Sequence, residues 1–247
     1  MEIYDQGYGI QQANWIVNET KAAGFSRIYY LKSGDVFYQD KTMSQKLVCG
    51  KLYIFPSYSS YKITHNPKNP IYCFWVHIDL FPSIIKTLIE VDVDENAILF
   101  HMLEAMKLCV YDNNKEYHYF HTLVKAFIEY CYQNKIISKT EDQFSNIISY
   151  IRSNYSKPIT IDEISNHFNY TPEHLIRIFQ SKLNITPYQY ILHCRMNEAS
   201  KLLMQNVSVK EIAQCVGYRD SKTFSHAFRM KFGVPPTKFK DYYVPMP

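Results

Sequence analysis

Between residues 140 and 242 a short amphipathic segment, a tight turn and a second amphipathic segment occur twice, and few folds accommodate that arrangement. In the first copy, Ile161–Phe168 reads as a short helix with Ile161, Ile164 and Phe168 on one side. Asn169-Tyr170 makes the turn, since asparagine tolerates the left-handed conformation. Thr171-Pro172 then supplies an N-cap followed by proline at the first helical position, opening a helix that runs to about Leu183. In the second copy Val209–Val216 is the short helix and Gly217-Tyr218 the turn, and Asp220 or Ser221 caps a helix reaching about Phe232. Pro187–Met204 joins them as one helix striped by Ile191, Leu192, Met196, Ala199, Leu202 and Leu203. A further helix precedes both, along Phe144, Ile147, Ile148 and Ile151, ending near Tyr155 before Lys157-Pro158. Two helices joined by a turn of three or four residues form a helix-turn-helix unit, whose second helix can lie in a DNA major groove.

At 100° per residue the faces of each second helix separate. Leu175, Ile178 and Phe179 turn inward, while Glu173, Arg177 and Gln180 fall nearly opposite, flanked by His174 and Ile176. In the second unit Phe224, Ala227 and Phe228 turn inward. Lys222, His226 and Arg229 turn outward there, with Arg219, Thr223 and Ser225 nearby. Arginine suits guanine edges, glutamine adenine edges, and glutamate can accept from cytosine. A solvated charged face is the commoner meaning of any single such helix; the recurrence is what favours DNA reading. The joining helix spans roughly 27 Å at 1.5 Å per residue. It could therefore hold two reading helices about one DNA turn, ~34 Å, apart.

Charge follows the same division. Residues 1–138 carry 13 Lys and Arg against 14 Asp and Glu, whereas residues 139–247 carry 14 against 9. A polyanionic partner therefore belongs to the C-terminal half. No apolar run approaches the ~18 residues of a membrane span, and Glu2 and Asp5 stand where a secretory signal needs basic and then apolar residues. The expected location is the cytoplasm, on the nucleoid. Six scattered cysteines form no CxxC pair, which points to reduced core thiols. No clustered histidine ligands, nucleophile elbow, phosphate loop or paired-carboxylate motif occurs, so neither catalysis, a metal nor a cofactor is expected.

The first eighty residues are rich in Tyr, Phe, Ile and Val. Strand-like runs fall at Arg27–Lys32, Val36–Gln39, Lys46–Phe55, Tyr61–His65 and Ile71–Leu80, as in an antiparallel sandwich or barrel. Beyond Pro82 two helical stripes follow, one along Leu99, Met102, Leu103, Met106 and Val110. The other runs along Phe120, Leu123, Val124, Phe127, Ile128 and Cys131, with a joint near Asp112-Asn113-Asn114. Either the stripes pack on the strands or part of their surface pairs two subunits. A short polar joint, Ile136–Gln143, divides a domain of residues 1–138 from one of residues 139–247.

The stretch Ile159–Tyr242 resembles the DNA-binding domain of the AraC/XylS family of bacterial transcription regulators. The resemblance rests on Ile212-Ala213, Gly217-Tyr218, Thr223-Phe224-Ser225, Phe228-Arg229 and Lys231-Phe232-Gly233-Val234-Pro235-Pro236. Leu175, Arg177, Phe179, Tyr190, Arg195 and Ala199-Ser200-Lys201-Leu202-Leu203 extend it to the first unit and the joining helix. Ser165 stands where a small alanine is usual, and Asn169 and Asn184 replace turn glycines. More faintly, Phe74-Trp75-Val76-His77-Ile78-Asp79-Leu80 and Gly50-Lys51-Leu52-Tyr53-Ile54-Phe55-Pro56 resemble strands of the family's regulatory domain. The implied fold is α+β, with an N-terminal cupin-like β-barrel, a helical hairpin and a C-terminal all-α domain of two helix-turn-helix units. The implied site on double-stranded DNA comprises Glu173, His174, Ile176, Arg177, Gln180, Arg219, Lys222, Thr223, His226 and Arg229. Homodimerisation through the hairpin and contact with RNA polymerase are further implications. A small effector would sit in the barrel on Trp75, where sugar-responsive members have a stacking tryptophan, with His77, Tyr30 and Tyr61. Cys73 and Asp79 share the strand face of Trp75 and His77. The alternatives are that these aromatics simply fill a core, and that a protein partner controls the same DNA-binding module.

Overall fold

Period-two burial sorts the N-terminal strands into two sheets. The computed structural model describes residues 2–20, 23–81, 83–111, 117–139, 143–205, 207–239 and 241. These form two compact units that divide between Thr140 and Glu141. The first unit holds β1 (Glu2–Ile10), β2 (Ile16–Glu19), β3 (Ser26–Ser33), β4 (Val36–Gln39), β5 (Ser44–Lys46), β6 (Lys51–Ile54), β7 (Tyr61–His65), β8 (Tyr72–Asp79) and β9 (Ile89–Asp92). The helices α1 (Ile98–Tyr111) and α2 (Tyr117–Gln133) complete it. Five strands run in the order β1-β8-β3-β6-β9 and four in the order β2-β7-β4-β5.

Alternation along β3, β6 and β8 gives the larger sheet two apolar faces. Ile28, Tyr30, Leu52, Ile54, Phe74, Val76 and Ile78 share a core with Leu99, Leu103, Met106, Phe120, Val124 and Phe127 of α1 and α2. Tyr29, Leu31, Tyr53, Phe55 and Cys73 point the other way, into a core with Val17, Val36, Tyr38, Tyr61 and Ile63. The unit is therefore three layers: hairpin, five-stranded sheet, four-stranded sheet. The expected barrel is a cupin-like jelly roll whose two sheets stay separate, leaving β1, β9, β2 and β5 as edges.

Three strands escaped the sequence reading, namely β1, β2 and β9. In β1, Gly7 and Gly9 weaken a strand signal. The run Lys46–Phe55 is not one strand. It holds only the last residue of β5, then Leu47–Gly50 outside any strand, with φ of 83° at Gly50, and then β6, which lies in the other sheet. Of the six cysteines only Cys73 and Cys131 are buried, while Cys49 and Cys215 are exposed. The hairpin stripes pack on the sheet, and Phe127, 1% exposed, belongs to that core. Asp112-Asn113-Asn114 lies outside the described residues, as does the middle of the Ile136–Gln143 joint.

The second unit comprises α3 (Gln143–Asn154), α4 (Ile161–His167), α5 (Pro172–Leu183), α6 (Pro187–Met204), α7 (Val209–Cys215) and α8 (Ser221–Phe232). Phe144 of α3 meets Phe179 of α5 edge-on at 5.0 Å, and Phe179 meets Tyr190 of α6 at 5.9 Å. In the second half Met196, Ala199 and Leu203 of α6 pack with Ile212, Ala213, Phe224 and Phe228. Among these, each fully buried Met, Leu, Ile or Phe side chain contributes roughly 1.5–3 kcal/mol.

Candidate nucleic-acid interface

The two helix-turn-helix units repeat each other bond for bond through the turn. Thr160 and Glu163 form a capping box at α4, as Ser208 and Glu211 do at α7. Asn169 N–H donates to the Asn166 carbonyl and Tyr170 N–H to that of Ser165. Gly217 and Tyr218 do the same toward Gln214 and Ala213, forty-eight positions later. Asn169 takes φ of 57° and Gly217 of 82°, the left-handed geometry that ends both short helices. Ser165 is fully buried, but its hydroxyl donates to the Asp162 carbonyl at 3.0 Å, so the departure from alanine leaves no polar group unmet. Asn184 caps α5 with φ of 57°.

Beyond the turn the second unit carries one extra residue. Thr171 caps α5 and Asp220 caps α8, so the reading helices correspond at a spacing of forty-nine. Inward Leu175 and Phe179 then match Phe224 and Phe228, all fully buried. Outward Glu173, Ile176, Arg177 and Gln180 match Lys222, Ser225, His226 and Arg229. Of the ten residues expected on the DNA face, all are exposed except His174, which is half-buried. Thr223 is committed locally, its Oγ1 donating to Asp220 Oδ2 at 2.9 Å within the cap. Lys222, Arg229 and neighbouring Arg219 leave the second face cationic, whereas Glu173 offsets Arg177 on the first.

Arg195, in the middle of α6, holds the halves of this unit together. Its Nε donates to the Tyr155 carbonyl at 2.8 Å and its Nη2 to that of Lys157 at 3.0 Å. The guanidinium lies 5.5 Å from the Tyr218 ring centre. It thereby ties the end of α3, beside the first helix-turn-helix, to the turn of the second.

In the N-terminal unit Trp75 and His77 share the inter-sheet side of β8 with Cys73, and Tyr61 reaches the same space from β7. Tyr30 does not join them. One residue out of phase with Tyr29, it packs on the helical side, beneath the Lys32 ammonium at 4.4 Å. The sequence reading passed over three charged neighbours. Asp5 Oδ2 accepts from Trp75 Nε1 at 3.1 Å and lies 3.3 Å from His77 Nδ1, while His77 Nε2 lies 3.3 Å from the Tyr29 hydroxyl. Arg27 Nη1 donates to the Tyr61 hydroxyl at 2.8 Å, and Nη2 pairs with Glu19 at 2.5 Å. Arg27 shares strand parity with Tyr29, the signal that could have found it. Burial, helped by the Arg27 charge, pushes His77 well below the usual histidine range. A neutral ring then donates from Nδ1 to Asp5 and accepts at Nε2 from Tyr29. Aromatics fill the rest of this space: Tyr29, Tyr38 and Tyr61 each have ring centres 5.1–5.8 Å from that of Phe55.

Gly7 faces Trp75 across β1 and β8, and a Cβ there would lie 2.0 Å from the indole. Gly7→Ala is therefore expected to push the indole off β1 and break its bond to Asp5. In a Trp15→Phe background, which leaves Trp75 as the sole tryptophan, its emission should shift to the red. Unaltered emission would show that the ring does not lie over Gly7.

Among the described residues no helix is long and apolar enough to cross a membrane, and no group of three or more His, Cys, Asp or Glu is placed to hold a metal ion.

Comparison with known proteins places these features. Residues 164–242 match a family described as a helix-turn-helix domain. The raffinose operon transcriptional regulatory protein RafR of Pediococcus pentosaceus is 34% identical over 103 residues, covering 41% of this chain and 37% of RafR. The Msm operon regulatory protein of Streptococcus mutans is 33% identical over 105 residues, covering 42% and 37%. The matched segment thus spans little more than a third of these relatives. ToxT of Vibrio cholerae resembles nearly the whole chain in fold, with a TM-score of 0.65, 12% identity and coverage of 96% of this chain and 98% of ToxT. The form with an unsaturated fatty acid bound gives 0.63 at 13% identity, covering 96% and 92%. The fold class read from the sequence, cupin-like sheets followed by two helix-turn-helix units, is that of these structures. The repeated turns, the paired outward helices and these relatives lead to one assignment: residues 164–242 of this chain form a helix-turn-helix domain of the AraC/XylS type.

Proposed function

We propose that this protein is a sequence-specific transcription regulator, not an enzyme, whose α5 and α8 enter two successive major grooves on one face of double-stranded DNA. The observation that carries this reading is the near-identical construction of two turns that each present a polar helix face outward. Arg177 and Gln180 on α5, and Lys222, His226 and Arg229 on α8, supply the base and phosphate contacts, with Glu173, His174, Ile176, Arg219 and Thr223 around them. Because α8 is the more cationic, it contributes more of the salt-sensitive affinity. Residues 1–138 act as a regulatory domain and residues 139–247 as the DNA-binding domain, working in the cytoplasm on the nucleoid. Self-association uses apolar positions the core leaves outside, such as Leu108 and Tyr119, respectively 64% and 62% exposed. RNA polymerase is the natural further partner of a promoter-bound regulator.

Control by a small polar, sugar-like effector would use Trp75 with His77 and Tyr61, where an indole face and directional hydrogen bonds adjoin. Tyr30 no longer belongs in that set. The dense aromatic filling around Phe55 favours a second reading, in which a protein partner controls the DNA-binding module and the sheets hold no ligand.

Binding-site selection with Arg177→Ala and Lys222→Ala tests the bipartite reading. Each is expected to relax preference in a different half of the site, a direct base contact contributing ~1–3 kcal/mol of discrimination. If both variants lose preference at the same base pairs, one subunit does not read two grooves.

A further inference from the structure

We propose that Gln143 and Tyr170 are positioning residues that aim Arg177 at its base pair, so that the start of the DNA-binding unit is wired to the specificity of one DNA contact. The proposal rests on the reading of α5 as a base-contacting helix and extends it to residues that touch no DNA. Arg177 Nη2 lies 3.1 Å from His174 Nδ1, one helical turn back. The His174 ring packs against the Tyr170 ring at 4.8 Å between centres. The Tyr170 hydroxyl in turn donates to Gln143 Oε1 at 2.6 Å, across 27 positions of sequence. Gln143 is the first residue of α3, two positions into the second compact unit.

Each link restrains the next. An exposed arginine holds considerable rotamer entropy, much of which is lost on docking to a base edge. A guanidinium already held at one Nη through His174 loses less, and its remaining N–H groups still point outward in a planar fork. His174 can accept from Arg177 only as the tautomer protonated at Nε2 and only with its ring turned correctly. The Tyr170 ring fixes that turn. Tyr170 has just left the left-handed turn residue Asn169 and precedes the cap Thr171, so its backbone is set by the turn, and its far end is set by Gln143. The second unit lacks the counterpart. Tyr218 occupies the corresponding position, but its ring is engaged by Arg195, and the match to Arg177 on α8 is His226. The wiring is thus a property of the first reader alone.

Selection of binding sites by the full-length protein, together with affinities for single-base variants of the preferred site, tests this. Arg177→Ala marks the base pair it reads. Tyr170→Phe removes one hydroxyl while keeping the ring, and Gln143→Leu removes the acceptor while keeping the size. Each is expected to lower discrimination at the marked pair by roughly 3- to 10-fold, to leave the other pairs unchanged, and to leave the melting temperature within about a degree. The double variant should lose no more than the larger single loss, because both cut one chain. Unchanged discrimination in Tyr170→Phe and Gln143→Leu would overturn the proposal while leaving the reading of α5 intact. An equal loss at every base pair would also overturn it, since that marks a general structural role. If Arg177→Ala itself marks no base pair, the reading of α5 fails and the proposal falls with it.

Discussion

Gly217→Asn is expected to disable the second reader, although asparagine occupies the equivalent position, Asn169, in the first. Both positions require a left-handed backbone, which asparagine tolerates. The difference is what lies alongside. A Cβ on Gly217 would stand 2.7 Å from the Ser156 carbonyl oxygen and 3.2 Å from Arg195 Nη2. The carbonyl is backbone and cannot swing aside, so the turn must shift away from the end of α3. Overpacking of this kind costs about 1–3 kcal/mol. Gly217→Ala adds a left-handed non-glycine residue at a further ~1–3 kcal/mol. Thermal unfolding should show both losses, alanine the larger. DNA affinity should fall with preference lost mainly in the half of the site that Lys222 marks. A Gly217→Asn protein with wild-type melting and affinity would show that the close approach to Ser156 is not required.

Mild acid should selectively loosen the packing of α6 against α8. His193, on α6, has its Nδ1 buried without a hydrogen-bond partner among the described residues. Burial, with the charge of Lys231 on α8 adding to it, pushes the imidazole down to about 3. The unfolded chain holds an ordinary histidine near 6.5, so below that pH the unfolded state binds the extra proton and the folded state does not. The sign follows: the stability is fully present above about pH 6.5 and drains away as the pH falls toward 3. Between pH 7 and pH 5 the loss is about 2 kcal/mol. Amide hydrogen exchange of α6 and α8 at the two pH values, corrected for intrinsic rates, reads it directly. His193→Gln should remove most of the pH dependence. Retention of the full slope in that variant would mean that another group is responsible. In the N-terminal unit His77 has the same sign, but burial raises the Asp5 carboxyl beside it, which acts in the opposite direction.

The C-terminal unit was readable in the sequence because its signals are local. Capping residues, a left-handed turn residue and a 3.6-residue stripe lie within a dozen positions of each other, and α6 runs over Pro187–Met204 as the stripe indicates. The outward face followed from the same periodicity. The relay from Gln143 to Arg177 was not readable, since nothing local relates a glutamine to a tyrosine 27 positions away. The N-terminal unit depends on non-local pairing, and there the reading faltered. Glycine weakened the signal of β1, although Gly7 is where β1 makes room for Trp75. Tyr30 and Trp75 are alike in aromatic character, but strand parity alone decides which side of the sheet each faces. Asp5, Glu19 and Arg27 come together only once β1, β2 and β3 have found their places.

The Arg195 clasp has a consequence for the DNA as well as for the protein. With the end of α3 and the turn of α7 fastened to the same guanidinium, the reading helices have little freedom to swivel about α6. A duplex turns once in about 10–10.5 base pairs, so five base pairs inserted between the half-sites carry the second to the far side of the helix. A reader on a slack tether could follow; on the proposed two-groove reading, this one could not. Its operators would be constrained in rotational phase more strictly than in base identity, and a promoter could lose its regulator through a small insertion that changes none of the contacted bases.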